Sequence, residues 1–301
     1  MLTHAYSSEN KPSRVVVIGA GGFIGSEVVN QLTALKIHVL PVGRKNVDLL
    51  TDGADTLLSN LLNPNDVLIF ISALAPCKDL VMLQDNIKMA NSVCKALLSL
   101  PVAHVIYVSS DAVYKDSSVP IVESSCAEPS SLHGVMHLSR EIALKQSYLG
   151  PLAIVRPTLV YGFSDPHNSY GPNRFRRLAS SEEPIILFGE GEELRDHVDV
   201  EDVAALICSI VLFRSSGIAN AVSGNVVSFR ELAEFTAREF TPHVLVKGSL
   251  RAGGMPHGGY RAFDNRAVLQ AFPGFQFRHW REGLELVHQR QRLELKSEFL
   301  R

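Results

Sequence analysis

The chain has 301 residues, with 29 lysines and arginines against 31 aspartates and glutamates for a formal charge of −2, and it is 46% hydrophobic and 20% charged. That is the make-up of a folded protein with a sizeable core, as one large α/β unit or two domains, and no nucleic-acid partner is expected without a concentrated excess of cations, although local basic pockets stay open. The longest apolar stretches, such as 203–213, fall short of the ~20 residues that cross a bilayer, and residues 1–12 hold no apolar signal core, so no membrane partner and a cytoplasmic setting are expected.

After a polar leader of about a dozen residues, 15–18 is a short β-branched run that suits a strand buried on both faces. A glycine cluster follows at once, then helix-compatible apolar spacing over 23–35 and a second strand at 37–40. The alternation continues with a helix near 53–62, a strand at 67–71, a helix near 80–100, a strand at 103–109, a helix near 134–149 and a strand at 152–156. Regular βα alternation predicts a parallel sheet covered by helices on both sides with right-handed crossovers. Beyond Pro157 the spacing becomes irregular, and Gly, Pro, Asn and Ser crowd 162–172. The predicted class is therefore α/β, a Rossmann-type doubly wound parallel sheet with a smaller C-terminal substrate-binding region. Residues 1–165 would form the dinucleotide-binding domain, with a return segment about 196–222 that includes a helix at 199–213; residues 166–195 and 223–301 would form the substrate region. The segment 243–259, with Gly253-Gly254 and Gly258-Gly259, is expected to be a mobile loop.

Cys77, Cys94, Cys126 and Cys208 are widely separated, with no C-x-x-C pair. They are expected to be reduced and mostly buried, without a disulfide framework or a structural zinc.

Gly19-Ala20-Gly21-Gly22-Phe23-Ile24-Gly25 sits where a strand ends and a helix begins. Missing Cβ atoms permit a tight turn and let backbone amides approach a pyrophosphate, while the helix N-terminus supplies partial positive charge. About 20 residues beyond the glycines, an acid would bind a ribose 2′-hydroxyl; here stand Arg44 and Lys45, which either face a 2′-phosphate or are solvated loop charges. NADP is thus favoured modestly over NAD, with Asp48 near the adenine.

Four motifs in order give the chain a resemblance to the extended short-chain dehydrogenase/reductase family, the NAD-dependent epimerase/dehydratase branch that modifies nucleotide sugars. They are Gly19-x-x-Gly22-x-x-Gly25, Val108-Ser109-Ser110-Asp111-Ala112-Val113-Tyr114, Arg156-Pro157-x-x-Val160-Tyr161-Gly162, and the run from Phe188-Gly189-x-Gly191 through Arg195-Asp196 to Asp202-Val203. The resemblance implies an oxidoreductase-type epimerase, dehydratase or reductase acting by hydride transfer at a sugar carbon. Gly19, Gly22, Phe23, Ile24, Gly25 and Ala73 would contact the cofactor. Ser110 would hydrogen-bond the reacting sugar oxygen, Asp111 would be the acid of dehydratase chemistry, and Arg195 would hold the diphosphate. Asn86, Asn173 and Arg174 would serve the substrate site, His167, Arg261 and Asp264 would border it, and a homodimer through helices of the first domain is possible by analogy. Arg195 could instead pair with Asp196 or Asp199, and Ser109 and Ser110 could cap the next turn.

The family's Tyr-x-x-x-Lys is missing. With Gly134 and Glu141 aligned to the flanking glycine and glutamate, His133 takes the Tyr position and His137 the Lys position. His133, His137 and Glu141 share one helical face. An imidazole titrates near ~6.5 and can take a proton from a sugar hydroxyl at neutral pH, so His133 could replace the Tyr as base. His137 would then orient it or hold the cofactor ribose. The alternatives are a metal bound at the i, i+4 pair, and a non-catalytic dinucleotide sensor or scaffold whose histidines only pack. Trp280 is expected to be packing.

Overall fold

The computed structural model describes residues 2–299. In chain order the elements are β1 (Thr3–His4), β2 (Val15–Ile18), α1 (Phe23–Ala34), β3 (Val39–Val42), α2 (Ala54–Leu61), β4 (Val67–Phe70), α3 (Leu80–Ser99), β5 (His104–Val108), α4 (Leu132–Ser147), β6 (Leu152–Pro157) and β7 (Leu159–Tyr161). There follow α5 (Pro172–Ser180), β8 (Ile185–Phe188), β9 (Leu194–Asp199), α6 (Val200–Phe213), β10 (Ser215–Ala221), β11 (Val226–Ser228), α7 (Phe229–Arg238), β12 (Val246–Ser249), β13 (Tyr260–Arg261), α8 (Arg266–Ala271) and α9 (Trp280–Phe299).

Seven strands form the main sheet in the order β1-β10-β6-β5-β4-β2-β3, all parallel except β1, which pairs antiparallel with β10. The β-branched and apolar runs of β2, β4 and β5 are buried at every position because helices cover both faces. One face packs α1 and α6 residues such as Val28, Leu32, Val203 and Ile207 against Val15, Val17 and Ile69. The other packs α2, α3 and α4 residues such as Leu58, Val93, Leu97 and Leu144 against Val16, Leu68 and Tyr107. The chain runs outward from β2 to β3, then returns to the opposite side of β2 with β4, so the crevice for a ligand opens at the carboxyl ends of β2 and β4.

A smaller sheet of β11, β9 and β13, joined by β7 on β9, and a two-stranded parallel pair of β8 and β12 stand beyond these carboxyl ends in sequence. Their core gathers Tyr161, Phe175, Leu187, Phe229, Leu232 and Trp280, and Trp280 is packing, edge-on to Phe235 at 5.5 Å.

Three local expectations need correction. The polar leader contributes β1, because His4 anchors it to Ser215 and to the Ala271 carbonyl. The second strand starts at Val39, since Lys36 turns the chain with φ +60° and Ile37 is spent closing α1. Segment 243–259 is not a bare loop: 246–249 pairs with β8, and 256–259 forms a tight turn whose residues 257–259 have positive φ. The cysteines are mostly buried, as expected: Cys77, Cys94 and Cys208 are buried and Cys126 is exposed.

Candidate functional site

A cleft of about 640 Å³ runs from the glycine turn to the smaller sheet. Gly19, Gly22, Phe23 and Ile24 line one end, and Ile71–Ala73 with Ala75 and Pro76 form its floor. Ser110–Ala112, His133 and Thr158–Val160 line its middle, and Asp165, His167, Ser169, Asn173, Arg195 and His257 its far side.

The glycines shape the near end of the cleft. Gly19 has φ +92°, and a Cβ there would lie 2.7 Å from the Ser72 amide nitrogen; a Cβ on Gly25 would lie 2.1 Å from the Gly19 carbonyl oxygen. Only glycine lets the turn, the helix and β4 approach so closely. Gly22 caps α1 with no side chain over the helix end, and no acid occupies the first turn. This cradle suits an anionic pyrophosphate. An adjoining cavity of about 100 Å³ continues past Val42–Arg44 and Val47–Leu50 to Ala73, Leu74 and Met89. Arg44 is exposed and pairs with Asp48 (Nε to Oδ2, 3.0 Å), and Lys45 is exposed without lining that cavity.

The middle of the cleft is set by α4. The Ser131 hydroxyl accepts the Gly134 amide and starts the helix, so His133 lies in its first turn. Gly134 packs so tightly on the Ser110–Val113 turn that a Cβ would lie 2.0 Å from the Ala112 carbonyl oxygen, which fixes His133 beside Ser110 and Ala112. Ser110 accepts the Ala112 amide at 3.2 Å and so also caps that turn. The Cys77 amide donates to His133 Nδ1 at 3.4 Å. In that arrangement the neutral ring carries its proton on Nε2 and presents a donor, the opposite of the acceptor expected from the sequence. Burial lowers the His133 pKa, against a smaller upward pull from Asp111.

His137 does not line the cleft. It is buried, with Nδ1 2.8 Å from the Tyr107 hydroxyl and its ring edge-on to His133 at 4.7 Å. The Lys position is thus occupied by a group turned into the core, which corrects the expectation that it reaches a ribose. Burial, then His133 and Arg140, hold its pKa well below the ordinary value, and burial pushes Tyr107 up to about 12. Glu141, the third residue of that helical face, is also internal. It accepts the Ser109 hydroxyl at 2.6 Å and pairs with Arg156 at 2.5 and 2.9 Å, so it is no companion ligand for the histidines. Among the described residues no group of three or more His, Cys, Asp or Glu is disposed to hold a metal ion.

Other expected residues divide. Asp111 lines the cleft, but Arg261 takes its carboxylate at 2.8 Å and its carbonyl at 2.6 Å, so it is not turned free as an acid for water elimination. Arg195 lines the far side. It pairs with Glu193 at 2.9 Å, not with Asp196 or Asp199, and its buried Nε has no partner among the described residues. Asp196 instead accepts Ser223 and Gly224, and burial raises its pKa to about 7. Asn173 lines the cleft and accepts the Gly162 amide. Arg174 is exposed and Asn86 fully buried, and neither lines the cleft. Asn86 binds the Leu74 amide and carbonyl, so it holds the cleft floor and does not touch substrate. Asp264 turns away to Arg266. Sequence reasoning missed Thr158, Asp165 and His257. Thr158 lay inside the quoted Arg156-Pro157 motif, and His257 was hidden in the supposed loop.

The profile of the NAD dependent epimerase/dehydratase family matches residues 15–221. ADP-L-glycero-D-manno-heptose-6-epimerase of Cupriavidus pinatubonensis is 28% identical over 255 residues, 73% of this chain and 76% of that protein. The UDP-glucose 4-epimerase of Thermus thermophilus, solved with NAD, shares 23% identity at a TM-score of 0.81 over 92% of this chain and 98% of its own. The gdp-l-fucose synthetase of Naegleria fowleri, solved with NADP, shares 16% identity at a TM-score of 0.79 over 95% and 96%. Among the described residues no helix is long and apolar enough to cross a membrane.

Proposed function

Since the chain belongs to the NAD-dependent epimerase/dehydratase family, we propose that it binds NADP or NAD on the Gly19–Gly25 turn and modifies a nucleotide sugar at the far side of the same cleft. The observation that carries this reading is the cleft's continuity from the glycine turn, past Ser110 and His133, to Arg195. The dinucleotide supplies hydride acceptance and return when bound; the solved relatives carry NAD in one case and NADP in another. NADP stays ahead on the two cations Arg44 and Lys45, although Asp48 already offsets the first.

The chain's own residues do the rest. Arg195, held by Glu193 on one edge only, keeps a planar fork for paired charge-assisted bonds to a diphosphate. Ser110 and His133 Nε2–H both donate toward a sugar oxygen, which suits stabilisation of negative charge on that oxygen. While the ring is neutral, Nδ1 goes on accepting the Cys77 amide, which a protonated ring could not do, and the lowered pKa favours that neutral form at pH 7.

A second reading, a dinucleotide sensor or scaffold without turnover, is favoured by His137 facing the core and Asp111 tied to Arg261. Calorimetry with NAD and NADP, then a panel of nucleotide sugars followed by nicotinamide absorbance and product mass, separates the two. The enzyme reading expects turnover that His133→Ala cuts by ~10²–10⁴-fold with cofactor affinity retained. Tight cofactor binding with silence across the panel would favour the sensor.

A further inference from the structure

His257 belongs to none of the motifs that identified the fold, yet it lines the cleft. Its backbone sits at φ +54° and ψ +28°, a left-handed conformation that a non-glycine residue adopts at a cost. Two glycines with positive φ, Gly258 and Gly259, follow it, so the turn is built to hold this conformation. The turn delivers the imidazole to Asp116: Nδ1 and Asp116 Oδ1 are 2.5 Å apart. Asp116 is in turn fixed by Arg261, whose Nη1 donates to the same oxygen at 2.7 Å, while Nε of that guanidinium holds Asp111. Arg261 is itself buried, on the strand in register with Arg195.

A carboxylate can only accept and a guanidinium can only donate, and Asp116 at 2.5 Å outweighs Arg261 Nη1 at 3.4 Å from the same nitrogen, so the proton of the neutral ring is on Nδ1 and Nε2 carries the lone pair. Nε2 has no hydrogen-bond partner among the described residues. His133 has the reverse arrangement, because its Nδ1 accepts the Cys77 amide. Of the three imidazoles that line the cleft, His133 and His257 are therefore fixed in complementary tautomers, a donor on α4 and an acceptor on the smaller sheet's side. We propose that Asp116 and His257 form a second proton-transfer site, in which His257 Nε2 accepts the proton of a sugar hydroxyl and Asp116 orients the ring and balances the charge that develops. In the step the ligand O–H bond breaks with its electron pair kept on oxygen, and the proton forms the Nε2–H bond of an imidazolium beside the Asp116 carboxylate. The inference rests on the reading of the cleft as a nucleotide-sugar site. Burial and the nearby Arg195 lower the His257 pKa, so the ring is free to accept.

The tautomer is read on the full chain, labelled with 15N-histidine, in long-range proton–nitrogen spectra near neutral pH. The expected pattern is a protonated Nδ1 and a bare Nε2 at His257, moved toward the ordinary mixture by Asp116→Asn and absent from the spectrum of His257→Gln. A protonated Nε2, or a pattern unchanged by Asp116→Asn, overturns the dyad. UDP-glucose added to the NAD-loaded chain is expected to shift the His257 Nε2 resonance where UDP alone does not, and equal shifts with both, or none with either, overturn its placement against the sugar. Failure to load NAD would count against the dinucleotide reading, and the tautomer would still decide the dyad. In turnover of UDP-glucose, His257→Gln is expected to lower kcat by ~10²-fold or more with KM within about threefold, and Asp116→Asn to lower it less and to displace the acid limb of the pH profile. A variant whose kcat stays at the wild-type level overturns the proposal.

Discussion

The pair Glu141–Arg156 offers the sharpest test of how the turn at Ser109–Ser110 is held. Both side chains are almost entirely removed from water, and Glu141 accepts Arg156 twice and the Ser109 hydroxyl once. Replacing Glu141 by leucine keeps the volume but leaves a buried guanidinium unpaired, which costs ~3–5 kcal/mol in comparable cases. The Arg156 stack over Tyr114, 4.6 Å from ring centroid to Cζ, is present before and after the substitution and so offsets none of that. The orphaned Ser109 hydroxyl adds ~1–3 kcal/mol if no water reaches it. A net loss of about 3–8 kcal/mol is therefore expected, or a midpoint lowered by roughly 6–32 °C at ~2–4 °C per kcal/mol. The double variant Glu141→Leu, Arg156→Met should lose much less than the single one, because two apolar side chains replace the pair without leaving a charge. Urea titration followed by circular dichroism measures all three. A single variant within 1 kcal/mol of wild type, or a double variant at least as unstable as Glu141→Leu alone, would refute this account of the site's foundation.

Gly25→Ala places a methyl group against the Gly19 carbonyl, a separation of 2.1 Å before relaxation; dinucleotide affinity should drop at least ~10-fold, the equivalent of 1.4 kcal/mol, as calorimetry would read. His288 lies fully buried against Phe235 and Phe240, neither ring nitrogen has a hydrogen-bond partner among the described residues, and burial lowers its pKa to about 3. The unfolded chain binds that proton first, so its contribution is whole above about pH 6.5 and lost as pH falls toward 3, by up to ~1.4 kcal/mol per unit. His288→Phe should flatten that acid limb of a stability-against-pH curve, and an unchanged limb would refute the assignment. Arg195→Ala should weaken UDP-glucose binding at least ~10-fold, the loss of a charge-assisted pair, while NAD affinity holds; equal losses for both ligands would mean the residue shapes the fold and not the diphosphate site.

The βα alternation, the glycine turn and the order of the motifs were legible in the sequence because they depend on local physics. Strands buried on both faces need unbroken apolar runs, a helix meeting a pyrophosphate needs missing Cβ atoms, and Ser110 needs only the end of β5 to reach the crevice. The absence of the Tyr and Lys pair was equally plain, since it is a matter of residue type at a fixed spacing. What His133 and His137 became was not, because helical spacing sets a face and not the neighbours on it. The Cys77 amide and the Tyr107 hydroxyl, 56 and 30 residues away, determine which ring nitrogen accepts and which ring points inward. Asp111 is taken by Arg261 across 150 residues, and His257 reaches the cleft only because β13 pairs with β9. Pairing of that range carries no periodicity in the chain. Composition and spacing fixed the scaffold and the cofactor cradle, whereas the protonation and direction of each polar side chain were settled by partners that only folding brings into reach.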